Sequence, residues 1–204
     1  MKINCITNFQ SYPDLRQDIY NLTKSSYVDP TAILEREYHN NQKVYLQRNG
    51  INELIAFFMS GINKFDELEI NYLGLACVKH EYKNTGIIMQ LFIKGIEDAI
   101  NFNLPKKCWL TTPSIQIFKM IHCIFDLASP SPNFEFSETA FKVATKINLI
   151  KHYVFKNENP FIIRGIAQLT KYSTSEPDRI DKHKKDHRSD LFINHKLDER
   201  NGDS

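Results

Sequence analysis

The chain has no strong excess of charge of either sign: 26 Lys and Arg stand against 24 Asp and Glu, a formal net charge of +2. Polyanion binding normally shows itself as a basic excess, so nucleic acid is not expected as a partner. Cysteine is scarce. Cys5, Cys77, Cys108 and Cys123 are widely scattered, three of them within apolar runs, and no pair has the short spacing of a metal or redox motif. Reduced, mostly buried thiols are expected, with no metal site. Long hydrophobic runs are missing too: the longest, Leu54 to Met59, falls far short of the roughly 20 residues that span a bilayer. The first eight residues turn polar too soon for a secretory apolar region. No membrane partner is expected, and a cytoplasmic location follows by default. There is no internal repeat. What remains is a 204-residue chain with the apolar and charged balance of one soluble globular domain.

Hydrophobic spacing sets the element order. Lys2 to Phe9 alternates as a strand, and Pro13 opens a helix with Leu15, Ile19 and Leu22 inward. A second helix begins where Asp29 caps and Pro30 takes the first turn, with Ile33, Leu34 and Tyr38 inward. Lys43 to Gln47 and Glu53 to Ile62 form a hairpin across an Asn49-Gly50 turn. Leu68 to Val78 reads as a long strand whose apolar parity changes, with Leu68, Ile70 and Tyr72 on one face and Leu73, Leu75 and Cys77 on the other. The slip predicts a β-bulge near Tyr72 to Gly74.

From Gly86 the period becomes helical, with Ile88, Leu91, Phe92, Gly95, Ile96 and Ala99 on one face and Gln90, Lys94, Glu97 and Asp98 on the other. Lys107 to Thr111 is a strand. Thr112 and Pro113 then start a helix buried through Ile117, Ile121, Ile124 and Phe125. Ser137 to His152 is helical through Ala140, Ala144, Ile147 and Lys151, and Pro160 to Leu169 is a late strand. The stretch from Lys171 to Ser204 holds eight basic and eight acidic residues and reads as a solvated extension, which places the folded domain over 1–170 and the extension over 171–204.

Leu73 to Phe92 carries the chemistry: an apolar strand, a short polar loop, then an amphipathic helix. The first N–H groups of a helix lack intrahelical partners and carry the positive end of its dipole, so a pyrophosphate docks there without many cationic side chains. Gly86 removes the Cβ that would hold such a ligand away. A plainer strand, turn and helix with Gly86 as its first residue fits the same spacing.

This stretch resembles the acyl-CoA-binding motif of the GNAT superfamily, in which a strand ending in Val leads to Arg/Gln-x-x-Gly-x-Gly/Ala and a helix. The matching residues are Lys83, Asn84, Thr85, Gly86, Ile87 and Ile88, with Lys83 in place of Arg or Gln and Ile88 in place of Gly or Ala. The element order is similar over roughly residues 1–127. The resemblance implies an α/β (α+β) fold with a mixed, mostly antiparallel central sheet, a bulged strand splayed at the cofactor site and helices on both faces. It also implies that Cys77, Val78 and Lys79 hold the pantetheine arm of acetyl-CoA or another acyl-CoA, and that the amides of Asn84 to Met89 hold the pyrophosphate.

Acetylation of an amine needs a base for the amine and an acid for the departing thiolate. Many GNATs take a Glu from the bulged strand and a Tyr from the helix after the next strand. Glu67 and Glu69 lie at the start of that strand here, and Glu69 is the preferred base; Phe118 aligns with the Tyr and has no proton to give. Tyr82, His122 and Tyr153 are the substitute acids, with Tyr82 preferred, and His80 reads as an exposed loop residue. His122 and Cys123 are adjacent, hence about 100° apart on a helix, which excludes a simple Cys-His pair and leaves Cys123 for core packing. His183 and His187 have metal-binding spacing without a third ligand.

The resemblance thus implies an acyl-CoA-dependent N-acetyltransferase that takes an acetyl group from a CoA thioester to an amine of unknown identity. The alternative is a GNAT-fold protein without transfer activity that binds acyl-CoA or a protein partner. A homodimer stays open.

Overall fold

The computed structural model describes residues 2–112, 114–131, 133, 135–156 and 159–163. Pro113, the second half of the late strand and the charged extension with His183 and His187 lie outside them. The chain forms two compact units that divide between Leu110 and Thr111.

The first unit is a five-stranded sheet in the order β1 (Ile3–Thr7), β2 (Lys43–Arg48), β3 (Leu54–Phe65), β4 (Leu68–Val78) and β5 (Cys108–Trp109). All neighbours are antiparallel except β4 and β5. This is the mixed, mostly antiparallel sheet that the resemblance implied. Ile55 to Met59 of β3 are wholly buried, because both faces of that strand are covered, and the apolar run therefore shows no alternation.

Two helices cover one face. α1 (Pro13–Lys24) and α2 (Pro30–Asn40) begin at prolines, and Asp29 caps α2 by accepting from the Ala32 N–H at 3.0 Å. Leu15, Ile19, Leu22, Ile33 and Leu34 point into the core, as their spacing predicts. Tyr38 is only half-buried, and Glu37, a residue that spacing alone left unremarked, is 1% exposed.

α3 (Ile87–Asn101) covers the opposite face. Phe92 stacks on Phe58 with centroids 4.1 Å apart, and Phe58 in turn stacks on Tyr45; such pairs add about 0.5–1.5 kcal/mol each beyond their burial. Gly95 makes this approach tight, since a Cβ there would lie 3.1 Å from the Phe58 ring. The inward face is rotated from the one expected: Ile87 and Asp98 are buried while Ile88 is half-exposed. Asp98 is satisfied by Lys94 at 2.6 Å and by the Tyr45 hydroxyl. Burial, then the neighbouring Cys5 and Asp98, push the Tyr45 phenol far above its usual range.

Two turns differ from expectation. The β2–β3 connection is a loop over Asn49 to Glu53, in which Asn49 Oδ1 accepts from the N–H groups of Ile51 and Glu53. The left-handed residue is Asn52 at φ 64° rather than Gly50, because the Asn49 side chain closes the loop before a two-residue turn forms. β5 keeps two of its five expected residues.

The second unit contains α4 (Ile115–Ile124), α5 (Glu138–Lys151), β6 (Phe155–Lys156) and β7 (Asn159–Ile163). Ser137 caps α5 through the Ala140 N–H, and the buried Asn148 donates to the Pro160 carbonyl. Ser114 takes the cap position of α4, while Thr112 Oγ1 accepts from the Ser114 N–H at 3.0 Å. Ile117, Ile121, Ile124 and Phe125 are half-buried rather than core residues. Cys123 is exposed, contrary to its expected packing, and Cys5 is exposed as well, so Cys77 is the single buried thiol.

The bulge in β4 is present one step later than predicted. Pairing runs Ser60 to Leu73 and then Phe58 to Ala76, so Gly74 and Leu75 together oppose Met59. A Cβ on Gly74 would meet Asn41 Oδ1 at 2.5 Å and Glu37 Oε2 at 2.8 Å. We expect Gly74→Ala to destabilise the protein by about 1–3 kcal/mol, since both neighbours are buried and bonded to each other. A denaturant midpoint equal to the parent's would show that Asn41 and Glu37 yield freely.

Candidate functional site

Four elements meet at the end of β4: the bulge, the last residues of the strand, the loop 79–86 and the start of α3. β5 pairs with β4 only at Asn71 and Tyr72, and the Asn71 N–H donates to the Lys107 carbonyl. Among the described residues no strand pairs with that edge of β4 beyond Tyr72. The outcome is an open edge along the second half of β4.

Hydrogen-bond direction selects the groups on this edge. The Lys79 N–H donates to the Ile55 carbonyl at 2.8 Å. Amide directions alternate along a strand, so Cys77, paired with Phe57, also turns its N–H toward β3, and Ala76 and Val78 turn theirs outward. Of the expected trio Cys77, Val78 and Lys79, only Val78 therefore offers its amide to the edge, and Ala76 joins it. The parity of the strand hid this, because the bulge reverses it. The Cys77 thiol faces α1, 3.5 Å from the Leu22 carbonyl and 3.4 Å from Ser26 Oγ.

The loop is folded on itself. His80 to Tyr82 make a single 3-10 turn, the Tyr82 N–H donates to the Lys79 carbonyl, and the Thr85 hydroxyl donates to the Tyr82 carbonyl at 2.6 Å. Asn84 adopts φ 64° and Gly86 φ 80°. His80, Asn84, Thr85 and Gly86 are exposed, and Tyr82 and Lys83 are half-buried.

Gly86 is the N-cap of α3, with no side-chain cap bond. The first backbone bond of the helix runs from the Gln90 N–H to the Gly86 carbonyl at 3.1 Å. Ile87, Ile88 and Met89 precede it and stand where helix N–H groups have no intrahelical acceptor. Nothing lies within 4 Å of the position a Gly86 Cβ would take. An exposed helix start with positive dipole and an empty approach is chemically suited to a phosphate. Ile87 packs inward at 5% exposure, and the half-exposed Ile88 is the bulkier neighbour of that approach.

Lys79, at the head of the loop, is tied to carboxylates. Lys79 binds Glu53 at 2.7 Å and lies 3.7 Å from Glu81. The hydrogen bond to Glu53 raises the Lys79 ammonium above its usual value and lowers the Glu53 carboxyl.

The preferred base and acid, Glu69 and Tyr82, stand on different segments of the first unit. Glu69 pairs with Lys64 at 2.5 Å, close to the start of β4, five residues and so about 17 Å from the bulge. Glu67 precedes the strand. Tyr82 lies in the loop itself. Phe118 and His122 belong to α4 in the second unit, with ring centroids 4.5 Å apart, and Tyr153 is in that unit as well, where its N–H donates to the Asn148 carbonyl. Among the described residues no cluster of His, Cys, Asp or Glu is arranged to hold a metal, and no helix is long and apolar enough to cross a membrane.

The residue missed in the sequence is Glu37. Its Oε2 accepts from the Leu75 N–H at 3.2 Å and from Asn41 Nδ2 at 3.0 Å, and its Oε1 accepts from the Tyr72 hydroxyl at 3.1 Å and Arg36 Nε at 3.0 Å. The signal was available: Glu37 falls four residues after Ile33 and three after Leu34, on the inward stripe.

Comparison with known proteins found no matching family model, and no curated protein matches the chain. Solved structures with similar folds include an aminoglycoside antibiotic 6'-N-acetyltransferase from Acinetobacter haemolyticus, 13% identical over 61% of this chain and 89% of that one, at TM-score 0.47. A ribosomal-protein-alanine N-acetyltransferase from Brucella melitensis biovar Abortus 2308 is 16% identical over 64% of this chain and 96% of that one, at TM-score 0.48. A GNAT family N-acetyltransferase from Escherichia coli, in complex with CoA, is 13% identical over 51% of this chain and 59% of that one, at TM-score 0.42. Likeness of this degree concerns fold and says nothing of substrate.

Two predictions follow from the geometry. Gly86→Ala puts a Cβ on a left-handed residue and is expected to cost about 1–2 kcal/mol in unfolding free energy; no loss would mean that the helix start readjusts. Partial burial pushes the Cys108 thiol up to about 11, so its alkylation rate should reach half its maximum near that pH, and rapid labelling at neutral pH would contradict that shift. Strand order, the bulge in β4 and the helix start at Gly86 give the chain a GNAT-like fold.

Proposed function

We propose that the chain binds a coenzyme A thioester along the open edge of β4 and at the start of α3, and that it transfers the acyl group to an amine. One observation carries the reading: the strand edge left unpaired after the bulge leads within eight residues to an uncapped helix start with empty space before it. The outward amides of Ala76 and Val78 suit an extended arm that pairs as an added strand. The N–H groups of Ile87, Ile88 and Met89, with the exposed backbone at Asn84, Thr85 and Gly86, suit a pyrophosphate. A CoA thioester supplies an activated acyl carbonyl that an amine attacks directly, without an acyl-enzyme. Two of the thiols fit that route, since Cys77 is buried and burial holds the half-buried Cys108 above the usual thiol range.

A second reading, acyl-CoA binding without transfer, is favoured by the position of Glu69. Its carboxyl is tied to Lys64 near the start of β4, and Tyr82 sits in the loop on the phosphate side of the edge. The acceptor amine, the acetyl group as the acyl unit and a cytoplasmic setting belong to the proposal as expectations from the sequence.

A thermal-shift titration with acetyl-CoA and desulfo-CoA tests the binding. Ligand at a hundred times its dissociation constant adds about 2.7 kcal/mol of stability, a readily measured rise in Tm. Gly86→Val is expected to abolish that rise while the protein stays folded. No shift for the parent at millimolar ligand would remove CoA from the proposal, and a shift without turnover on a panel of amines would select the second reading.

A further inference from the structure

Glu37 is a carboxyl with 1% exposure, held under the bulge by donors from both sides of it: the Tyr72 hydroxyl before, the Leu75 N–H after, and Asn41 Nδ2 alongside. We propose that Glu37 selects the pairing register of the second half of β4 and thereby decides which backbone amides face the open edge. The competing arrangement can be written out. If β4 ran straight on from the pair Ser60 and Leu73, Met59 would face Gly74, Phe58 would face Leu75, and Ala56 would face Cys77. Side chains alternate across a strand, so that shift would move Leu75 and Cys77 to the α3 face and bring Ala76 and Val78 to the α1 and α2 face.

The amides would reverse as well. The Asn71 N–H points outward to Lys107; in a straight strand Leu73, Leu75 and Cys77 would follow it outward. In the observed strand the Leu75 N–H is diverted to Glu37, and the groups that point outward are those of Ala76 and Val78. A buried N–H without an acceptor is costly, so the bulge persists only where something accepts from Leu75. Glu37 is that acceptor, and Gly74 leaves room for it. Glu37 acts through the strand and is a positioning residue. The inference stands on the register alone; its consequence for ligand binding rests on the acyl-CoA reading.

Cross-strand nuclear Overhauser contacts in the ligand-free protein test it. Facing residues that do not exchange hydrogen bonds bring their α-protons close, which here marks Phe58 with Ala76 and Ala56 with Val78. In Glu37→Leu these contacts are expected to vanish in favour of Phe58 with Leu75 and Ala56 with Cys77, while Glu37→Gln, which retains an acceptor, should keep them. If Glu37→Leu does not fold, Glu37→Asp takes its place. That side chain is one methylene shorter, and the Leu75 amide should exchange about tenfold faster or more once its acceptor is withdrawn. Retention of the Phe58–Ala76 contact in Glu37→Leu, or unchanged Leu75 exchange in Glu37→Asp, overturns the proposal. Failure of the parent to bind CoA bears on the functional reading and leaves this test untouched.

Discussion

A carboxyl sealed beneath a sheet must be matched by donors, and Glu37 finds them where β4 carries one residue too many. The match is reciprocal. The bulge frees the Leu75 N–H from its ladder, and burial would make that group costly without Glu37; the Glu37 carboxyl in turn is matched by Leu75, Tyr72, Asn41 and the Arg36 guanidinium. The rest of the site inherits its geometry from this exchange: the turned amides of Ala76 and Val78, the inward Cys77 thiol against α1, and the direction in which the strand enters the loop toward Gly86.

The open edge lies beside a well-covered centre. β3 is sealed on both faces, and the aromatic column of Tyr45, Phe58 and Phe92 fixes α3 across the sheet. Rigid packing of that kind holds a helix start in place without a side-chain cap, which leaves its N–H groups for a ligand. Affinity for an anion would then come from backbone dipoles, with Lys79 already committed to Glu53.

Several elements were legible residue by residue. Asp29 with Pro30 marks a helix start because a cap is a local bond between neighbours. The parity slip in β4 announced the bulge to within one residue, since face alternation is a property of the strand itself. The Asn49-Gly50 turn was misjudged for a related reason: two local devices compete there, and the Asn49 side chain closes a longer loop. The inward face of α3 was rotated by a polar residue, Asp98, whose burial depends on Lys94 and on Tyr45 from another strand.

By itself the sequence determined the order of the main helices and strands, the cap at Asp29, the existence of the bulge and a helix start at Gly86, because each arises from bonds and alternation within a few residues. Tertiary structure decided which amides reach the edge and which donors meet Glu37. These depend on pairing between residues far apart in the chain, such as Glu37 with Leu75 and Ile55 with Lys79. Helical spacing puts Glu37 on the inward stripe of α2, but no local pattern reports which donors meet it there, because Tyr72 and Leu75 lie far away in the chain.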